Sequence, residues 1–195
     1  MEMESPNVVI LAGPNGAGKS TAAPNLLRDY LGISEFVNAD VIAQGISGFH
    51  PEGVAIQAGR IMLARLHELA QQKTSFSLET TLAAKSYANW LSKLRADGYQ
   101  SHLLFLWLPS PEAAIARVAD RVARGGHNVP EETIRRRFLL GLRNLSRIYM
   151  PLVDTWTIFD NSEPHGYEVV ATQSRGFPPT IVAPEIWNSI QGYNL

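Results

Sequence analysis

The stretch AGPNGAGKST at residues 12–21 decides the fold, because it joins two segments of contrasting pattern. The apolar run NVVIL at 7–11 precedes it and is typical of a strand buried on both faces of a parallel sheet. A helix is expected from Ser20 to Tyr30. Between them, residues 13–20 complete the pattern G-x-x-x-x-G-K-[ST]. Backbone N–H groups of such a loop converge on phosphate, and the following helix directs its positive end to the same point. The stretch predicts a nucleoside-triphosphate site.

This pattern assigns a role to each residue type. We expect Lys19 to reach the β- and γ-phosphates and the Ser20 hydroxyl to bind Mg²⁺, so the predicted cofactors are ATP and Mg²⁺. The residues predicted to contact them are Gly13, Pro14, Asn15, Gly16, Ala17, Gly18, Lys19, Ser20 and Thr21.

Strand and helix patterns alternate along the rest of the chain. Further strands are predicted at 36–40, 76–79, 102–108 and 155–159, with amphipathic helices between them. This order predicts an α/β three-layer sandwich of the P-loop NTPase, kinase type, with a mainly parallel five-stranded sheet. We expect a single domain over residues 1–195, with an arginine-bearing helical lid at about 117–140 and a C-terminal appendage at about 165–195. The appendage has a weak edge-strand pattern and a short helix near Trp187.

Composition narrows the function classes. The 195 residues carry a formal net charge of −1, which gives no general attraction to nucleic acid or membrane. The chain has no cysteine, which excludes disulfides, thiolate zinc sites and cysteine nucleophiles. The N-terminus MEMESPN is acidic, and the apolar run behind it is too short for a signal sequence or a membrane span. We expect a cytoplasmic protein without a membrane partner.

Two further patterns separate the classes of P-loop protein. No lysine is followed two residues later by aspartate, so the guanine-reading motif of GTPases is missing. The dipeptide Asp-Glu, which ends a strand in motor-type ATPases, never occurs. A small kinase that transfers the γ-phosphoryl group to a bound acceptor is the favoured interpretation.

Acidic residues at predicted strand ends are the candidates for the acceptor side. Asp40 ends FVNAD and can accept a hydroxyl proton as a general base, and Glu79 ends the strand in FSLETT. We expect Asp40, Glu79 and Thr80 to contact substrate, with Asp40 and Glu79 also holding Mg²⁺ through water. Helix N-capping is the alternative for Asp40, and capping or a strand-end ion pair is the alternative for Glu79.

Charge is concentrated between residues 117 and 147, where eight arginines and three acids give a net charge of +5. Gly125-Gly126 divides this stretch into two basic helices, which predicts a lid that closes over ATP. Such arginines stabilise charge that develops in phosphoryl transfer, an effect of about 10³ to 10⁵ in rate. We select Arg121, Arg124 and Arg137 for this role, together with Lys19 and Asp40 as catalytic residues. The alternatives are a solvated basic face and a nucleic-acid surface. Asn161, after the fifth strand, is predicted near the adenine ring.

These motifs together resemble the zeta-toxin-like P-loop kinases. The matching segments, within residues 7–161, are GPNGAGKST, NAD, ETT, RVADRVARGGHNVP and IRRRF. The resemblance implies a kinase that uses ATP and Mg²⁺, with Asp40 as base, Glu79 in the substrate pocket and the lid arginines on the γ-phosphate. In toxin members the acceptor is the 3′-hydroxyl of the sugar in UDP-N-acetylglucosamine. The compact chain and its GGH-type lid are similar to small stand-alone homologues, for which an antitoxin is a possible partner but is not required.

Four functional hypotheses follow from these patterns. The leading one is an ATP-dependent kinase for a nucleotide sugar or another hydroxyl compound. A metabolic kinase for a sugar acid or nucleoside shares the same P-loop and lid. A nucleic-acid protein would use the 117–147 arginines as a phosphate track, and a regulatory module would bind ATP with little turnover.

Overall fold

The computed structural model describes residues 5–163 and 166–193. Its strands are β1 (Asn7–Ala12), β2 (Glu35–Val37), β3 (Phe76–Thr80), β4 (Gln100–Trp107), β5 (Thr155–Asp160), β6 (Glu168–Ser174) and β7 (Thr180–Ile181). Its α-helices are α1 (Lys19–Ala23), α2 (Ala39–Ile46), α3 (Ala55–Gln71), α4 (Ser86–Ala96), α5 (Pro111–Ala123), α6 (Glu131–Asn144), α7 (Met150–Leu152) and α8 (Pro184–Gly192). π-Helical turns at Pro24–Tyr30 and Leu145–Tyr149 and a 3₁₀ turn at Pro51–Val54 complete the order.

One sheet organises these elements in the strand order β2-β3-β1-β4-β5-β6-β7. The pairs among β2, β3, β1, β4 and β5 are all parallel, so the predicted α/β fold with its parallel sheet is confirmed. β6 and β7 extend the sheet by antiparallel pairing, so the described chain has seven strands and not five. β7 has two residues, both exposed, which leaves no hydrophobic pattern to detect. Nothing in the described ranges forms a helix long and apolar enough to cross a membrane.

The centre of the sheet is the core of the molecule. Residues Val8 to Ala12 of β1 are all at most 1% exposed, so both faces of this strand are covered, as its continuous apolar run requires. β3 and β4 flank β1, which brings the ends of three parallel strands beside the loop that follows β1. The C-terminal segment joins the same core, since Trp187 of α8 stacks on Trp156 of β5 with ring centroids 5.7 Å apart.

The segment around Asp40 differs from the prediction. β2 ends at Val37, and Asp40 lies in the first turn of α2 instead of ending a strand. Asn38 caps this helix, because its Oδ1 accepts hydrogen bonds from the backbone N–H groups of Asp40 at 2.7 Å and Val41 at 3.3 Å. The alternative role of Asp40 as the N-cap is therefore wrong, and its carboxylate is not used by the cap.

Candidate active site

The loop after β1 has the backbone of a phosphate cradle. Gly13 and Gly18 have φ values of +147° and +77°, which L side chains rarely adopt. A Cβ atom on Gly13 would lie 2.4 Å from the carbonyl oxygen of Leu106, and one on Gly18 would lie 2.8 Å from Nδ2 of Asn161. The loop is thus packed against the ends of β4 and β5 from behind, which holds its N–H groups in place.

Lys19 lies inside this loop and is only 6% exposed. Its Nζ donates hydrogen bonds of 2.9 Å to the carbonyl oxygens of Gly13 and Pro14, and Oε1 of Glu79 is 3.7 Å away. Burial lowers the pKa of the Lys19 ammonium below its ordinary value, against the opposing effect of the Glu79 and Asp40 carboxylates. A hydrogen-bond donor is therefore held at the centre of the loop.

Ser20, Glu79 and Asn38 form a connected polar group beside Lys19. Ser20 Oγ donates to Oε2 of Glu79 at 2.8 Å, and Nδ2 of Asn38 donates to the same oxygen at 2.7 Å. Asn38 is 5% exposed, and its other amide atom caps α2. Sequence reasoning missed Asn38, although it stands two residues before Asp40 in the NAD motif. This one side chain fixes both Glu79 and the start of the helix that carries Asp40.

Two cavities open at this edge of the sheet. The first, of about 480 Å³, lies over the P-loop and α5, and the second, of about 370 Å³, lies between α2, the segment after β3 and α6. The first is lined by Asn15, Gly16, Gly18, Lys19, Ser20, Thr21, Asp40, Glu79, Arg117, Asp120, Arg121, Arg124 and Gly126. The second is lined by Asn15, Lys19, Asn38, Ala39, Asp40, Met62, Glu79, Thr80, Thr81, Ala83, Ala84, Tyr87, Arg136 and Arg137.

Four residues border both cavities: Asn15, Lys19, Asp40 and Glu79. The Asp40 side chain is exposed to this shared space, and Asn15 is 6% exposed with its Oδ1 unpaired by any described residue. A phosphate-binding cavity and a second polar cavity therefore meet at a lysine and two carboxylates. Such a junction suits transfer of a group from one bound molecule to another.

The predicted arginines divide between the two cavities. Arg121 and Arg124 of α5 line the first cavity, whereas Arg137 of α6 lines the second. Arg121 Nη2 donates to the carbonyl oxygen of His127 at 2.6 Å, while its buried Nε has no partner among the described residues. Arg117, for which the sequence predicts no catalytic role, also lines the first cavity. It donates to the carbonyl oxygen of Ser162 at 2.7 Å.

The Gly-Gly pair between these helices has a defined structure. The N–H of Gly126 donates to the carbonyl of Arg121 and the N–H of Gly125 donates to that of Val122, both at 2.9 Å. Gly125 has φ +83°, so the pair forms the Schellman motif that ends α5. A Cβ atom on Gly126 would lie 2.5 Å from Cγ of Arg121, which shows that this glycine makes room for the arginine.

The remaining predicted residues take different positions. Asn161 donates from Nδ2 to the carbonyl oxygen of Ala17 at 2.7 Å, so it lies behind the P-loop and does not line either cavity. Thr80 Oγ1 accepts from the N–H of Leu82 at 3.1 Å and borders the second cavity. Pro14 and Ala17 are buried in the loop, and Thr21 is exposed in the first cavity.

The residues present fit ATP with Mg²⁺. The first cavity offers a glycine-rich nest, a buried ammonium and an unpaired arginine Nε, all donors that match phosphate oxygens. The oxygens of Ser20, Glu79 and Asp40 border the same space, and Mg²⁺ prefers such hard ligands together with phosphate and water. No cluster of three or more His, Asp or Glu side chains converges anywhere in the described ranges, this site included.

Comparison with known proteins decides the family. The zeta toxin family model matches residues 1–167, which include the P-loop, the NAD and ETT segments and both basic helices. The chain belongs to the zeta toxin family. The resemblance predicted from the motifs is therefore confirmed. Among the relatives of this zeta toxin family member, a protein of Haemophilus influenzae is 29% identical over 132 residues, which cover 67% of the chain and 91% of the relative. An adenylate kinase of Clavibacter michiganensis is 28% identical over 165 residues, or 76% of the chain and 78% of the relative.

Solved structures support the same fold. The AvrRxo1-ORF1:-ORF2 complex with ATP matches 98% of the chain at a TM-score of 0.76 and 18% identity, and the chain spans 65% of the length of that protein. A structure of the PezAT chromosomal toxin–antitoxin system of Streptococcus pneumoniae matches 99% of the chain and 87% of its own at a TM-score of 0.63 and 15% identity. At these identities the likeness establishes the P-loop kinase fold of this zeta toxin family member.

Proposed function

We propose that this protein is an ATP-dependent kinase that transfers the γ-phosphoryl group to a hydroxyl of a small molecule, with UDP-N-acetylglucosamine as the first candidate. The observation that carries the proposal is the border shared by the two cavities. Asn15, Lys19, Asp40 and Glu79 line both of them, so a nucleotide in the first and an acceptor in the second would meet at these side chains. Phosphoryl transfer requires this arrangement, since catalysis rests on positioning and on charge stabilisation.

Asp40 is the proposed general base. Its carboxylate is exposed at the junction and is free of the helix cap, so it can accept the proton as the acceptor oxygen attacks the γ-phosphorus. The bond between the γ-phosphorus and the bridging oxygen breaks, and ADP leaves from the first cavity. Lys19 stabilises negative charge on the transferred group. To do so, its Nζ must replace a hydrogen bond to a loop carbonyl with one to a phosphate oxygen.

Ser20 is the residue proposed to hold Mg²⁺ directly, with Asp40 and Glu79 acting through water. When bound, Mg²⁺ neutralises charge on the β- and γ-phosphates. Asn38 holds the Glu79 carboxylate by its 2.7 Å hydrogen bond. Arg121 and Arg124 would act on the phosphates from the α5 side of the first cavity.

The second cavity favours an acceptor with both an apolar and an anionic part. Met62, Ala83 and Tyr87 give it apolar surface, and Arg136 and Arg137 contribute two cations. A diphosphate-linked sugar fits this description, and so does a sugar acid, which keeps a metabolic kinase as the second candidate. The two differ in the acceptor alone, so an acceptor screen separates them.

The arginine stretch gives less support to a nucleic-acid surface. Arg117 and Arg121 are bonded to the carbonyl oxygens of Ser162 and His127, and Arg135 is paired with Glu112. The cations are thus distributed over two cavities and local contacts. Non-specific binding to a phosphate backbone uses a continuous row of cations instead.

An antitoxin is a proposed partner, because a toxin–antitoxin system is among the structural neighbours. A binding assay tests this partner, which phosphoryl transfer does not require.

The proposal is tested by incubating the protein with Mg-ATP and UDP-N-acetylglucosamine and resolving the products by mass. Wild type is compared with Lys19→Ala, Asp40→Asn and a control variant, Asp97→Asn, which changes an exposed aspartate at the end of α4. We expect Asp40→Asn to bind ATP normally and to transfer about 10² to 10⁴ times more slowly, because a general base contributes that factor. Asp97→Asn is expected to behave as wild type.

A phosphorylated sugar nucleotide from wild type and from Asp97→Asn, with transfer lost or slowed in Lys19→Ala and Asp40→Asn, would establish the reaction and the role of the junction. ADP formation without any change in the sugar nucleotide would direct the search to a metabolite extract. Normal transfer by Asp40→Asn would remove Asp40 from the mechanism, and ATP binding without transfer to any compound would favour a regulatory module.

A further inference from the structure

The floor of the second cavity is a segment with unusual backbone geometry. Thr80, Thr81, Ala83 and Ala84 line the cavity, and Leu82 in their midst has φ +57°, in the region that favours glycine. The Leu82 side chain is fully buried, and its N–H donates to Thr80 Oγ1. A strained conformation of this kind persists only where the surroundings hold it.

Four consecutive carbonyls of this segment face α6 and the π-helical turn that follows it. The Thr81 oxygen lies 2.4 Å from where a Cβ atom on Gly141 would be, so α6 approaches the backbone directly. Asn144 Nδ2 donates to the oxygens of Leu82 at 2.7 Å and Ala83 at 3.2 Å.

The fourth contact comes from the π-helical turn that follows α6. There the hydroxyl of Tyr149 donates to the oxygen of Ala84 at 2.6 Å, which completes the row from Thr81 to Ala84.

The same helix also lines the cavity. Arg137, Gly141 and Asn144 are spaced i, i+4 and i+7, so they lie along one face of α6. Asn144 is 3% exposed and Tyr149 is fully buried, and neither lines the cavity itself. Burial raises the pKa of the Tyr149 hydroxyl to about 12, so it remains a donor across the physiological range. The helix that contributes Arg137 to the cavity is thus bonded to the backbone of its floor, residues 80–84.

We infer that Asn144 and Tyr149 are positioning residues for the acceptor, which they influence through the carbonyls of residues 82–84. The inference rests on the proposed kinase function. Loss of the Asn144 amide would let Leu82 relax to an ordinary φ and move Thr80 and Thr81, while Lys19 would stay in the P-loop, because the carbonyls of Gly13 and Pro14 hold its Nζ. Acceptor binding would weaken and ATP binding would not.

The experiment compares wild type with Asn144→Ala, Tyr149→Phe and Ser101→Ala. Ser101 is a matched control because it is 3% exposed and donates a hydrogen bond from its hydroxyl to Asp154. It lies at the start of β4, away from the strand ends that border the two cavities. Steady-state transfer from ATP to UDP-N-acetylglucosamine, or to the acceptor found in the metabolite screen, gives KM for each substrate. Hydrogen exchange of residues 80–88 is followed by mass spectrometry.

We expect Asn144→Ala to raise KM for the acceptor about tenfold, with KM for ATP within about twofold of wild type, and to accelerate exchange in residues 80–88. Tyr149→Phe, which removes one hydroxyl and keeps the ring, should show the same split at about threefold. Ser101→Ala should lower the melting temperature without changing either KM. If Asn144→Ala does not fold, Tyr149→Phe decides.

The possible failures are distinct. A wild-type protein that phosphorylates neither the sugar nucleotide nor any extract compound refutes the kinase proposal, and the positioning role with it. An active wild type whose Asn144→Ala and Tyr149→Phe variants keep their acceptor KM, or change both KM values together as a damaged fold would, refutes the positioning role alone.

Discussion

The Gly125-Gly126 pair permits a sharp test, because two interpretations predict opposite results. If the pair is a hinge, any residue that restricts its backbone should slow the enzyme. The structure instead shows a helix stop at Gly125 and a close approach at Gly126, where a Cβ atom would lie 2.5 Å from Cγ and 2.9 Å from the carbonyl oxygen of Arg121. Gly126→Ala should therefore act through Arg121, and Gly125→Asn should be tolerated.

The size of the effect follows from the geometry. Ordinary van der Waals contact begins at 3.4 Å, so the Arg121 side chain must move by about 0.9 Å to clear a new methyl group at 2.5 Å. Misplacement of a catalytic group by about 1 Å costs about 10²-fold in rate. Gly125 has φ +83° and open space around its Cα. Asparagine tolerates this conformation, so Gly125→Asn should cost less than about 1 kcal/mol of stability and little activity.

The assay is γ-phosphoryl transfer from Mg-ATP, with thermal unfolding of each variant measured in parallel. We expect Gly126→Ala to lose about 10²-fold in kcat and to lower the melting temperature, because the backbone oxygen of Arg121 at 2.9 Å must also shift. Gly125→Asn should retain transfer. A slow Gly125→Asn beside a normal Gly126→Ala would refute the close-approach interpretation and establish a hinge. Equal losses in both variants would show that Arg121 is not the group affected.

Three further predictions concern side chains around the site and the core. Asn38→Ala should destabilise the protein by about 1 kcal/mol, because α2 loses its N-cap, and urea titration measures this loss. The same variant should have a lower kcat in the transfer assay, because Glu79 loses a hydrogen-bond donor. Asn161→Ala should weaken ATP binding about fivefold by releasing the back of the P-loop, the value of one hydrogen bond, as calorimetry will show. Burial alone would raise the pKa of Asp154, but hydrogen bonds from Ser101 and the charges of nearby arginines lower it below its ordinary value. The ionised Asp154 carboxylate therefore stabilises the fold at neutral pH, and this stabilisation is lost as the pH falls below about 4. Melting curves from pH 7 to 3 should show this loss in wild type and a flatter profile in Asp154→Asn.

The parts of the fold that the sequence predicted depend on local pattern. The P-loop is a contiguous motif, and the buried run of β1 needs no partner to be recognised, so the α/β order and the phosphate cradle could be read directly. β7 could not, because two exposed residues carry no periodicity. The strand that contains Phe36 and Val37 does not reach Asp40, because the Asn38 side chain caps a helix that begins at Ala39.

The unpredicted parts of the site depend on long-range pairing. Asn38 and Glu79 are 41 positions apart, and Asn144 and Leu82 are 62 positions apart. No local pattern distinguishes a buried asparagine that bonds a distant carbonyl from a surface one. Likewise, Arg121 and Arg137 line different cavities because of the way α5 and α6 pack. Both helices are basic, so their composition does not indicate which cavity each arginine lines.

The contact of α6 with residues 81–84 bears on how acceptor preference could diverge within such a fold. The floor of the second cavity is held through backbone carbonyls, so a substitution there disturbs the whole row. Met62 of α3 and Tyr87 of α4 line the same cavity with their side chains, and their hydrogen bond joins them to each other and not to that row. Substitution of these two residues can therefore reshape the cavity without disturbing the catalytic junction. A library for altered acceptor choice should randomise positions 62 and 87 and keep residues 79–84 and 141–149 constant.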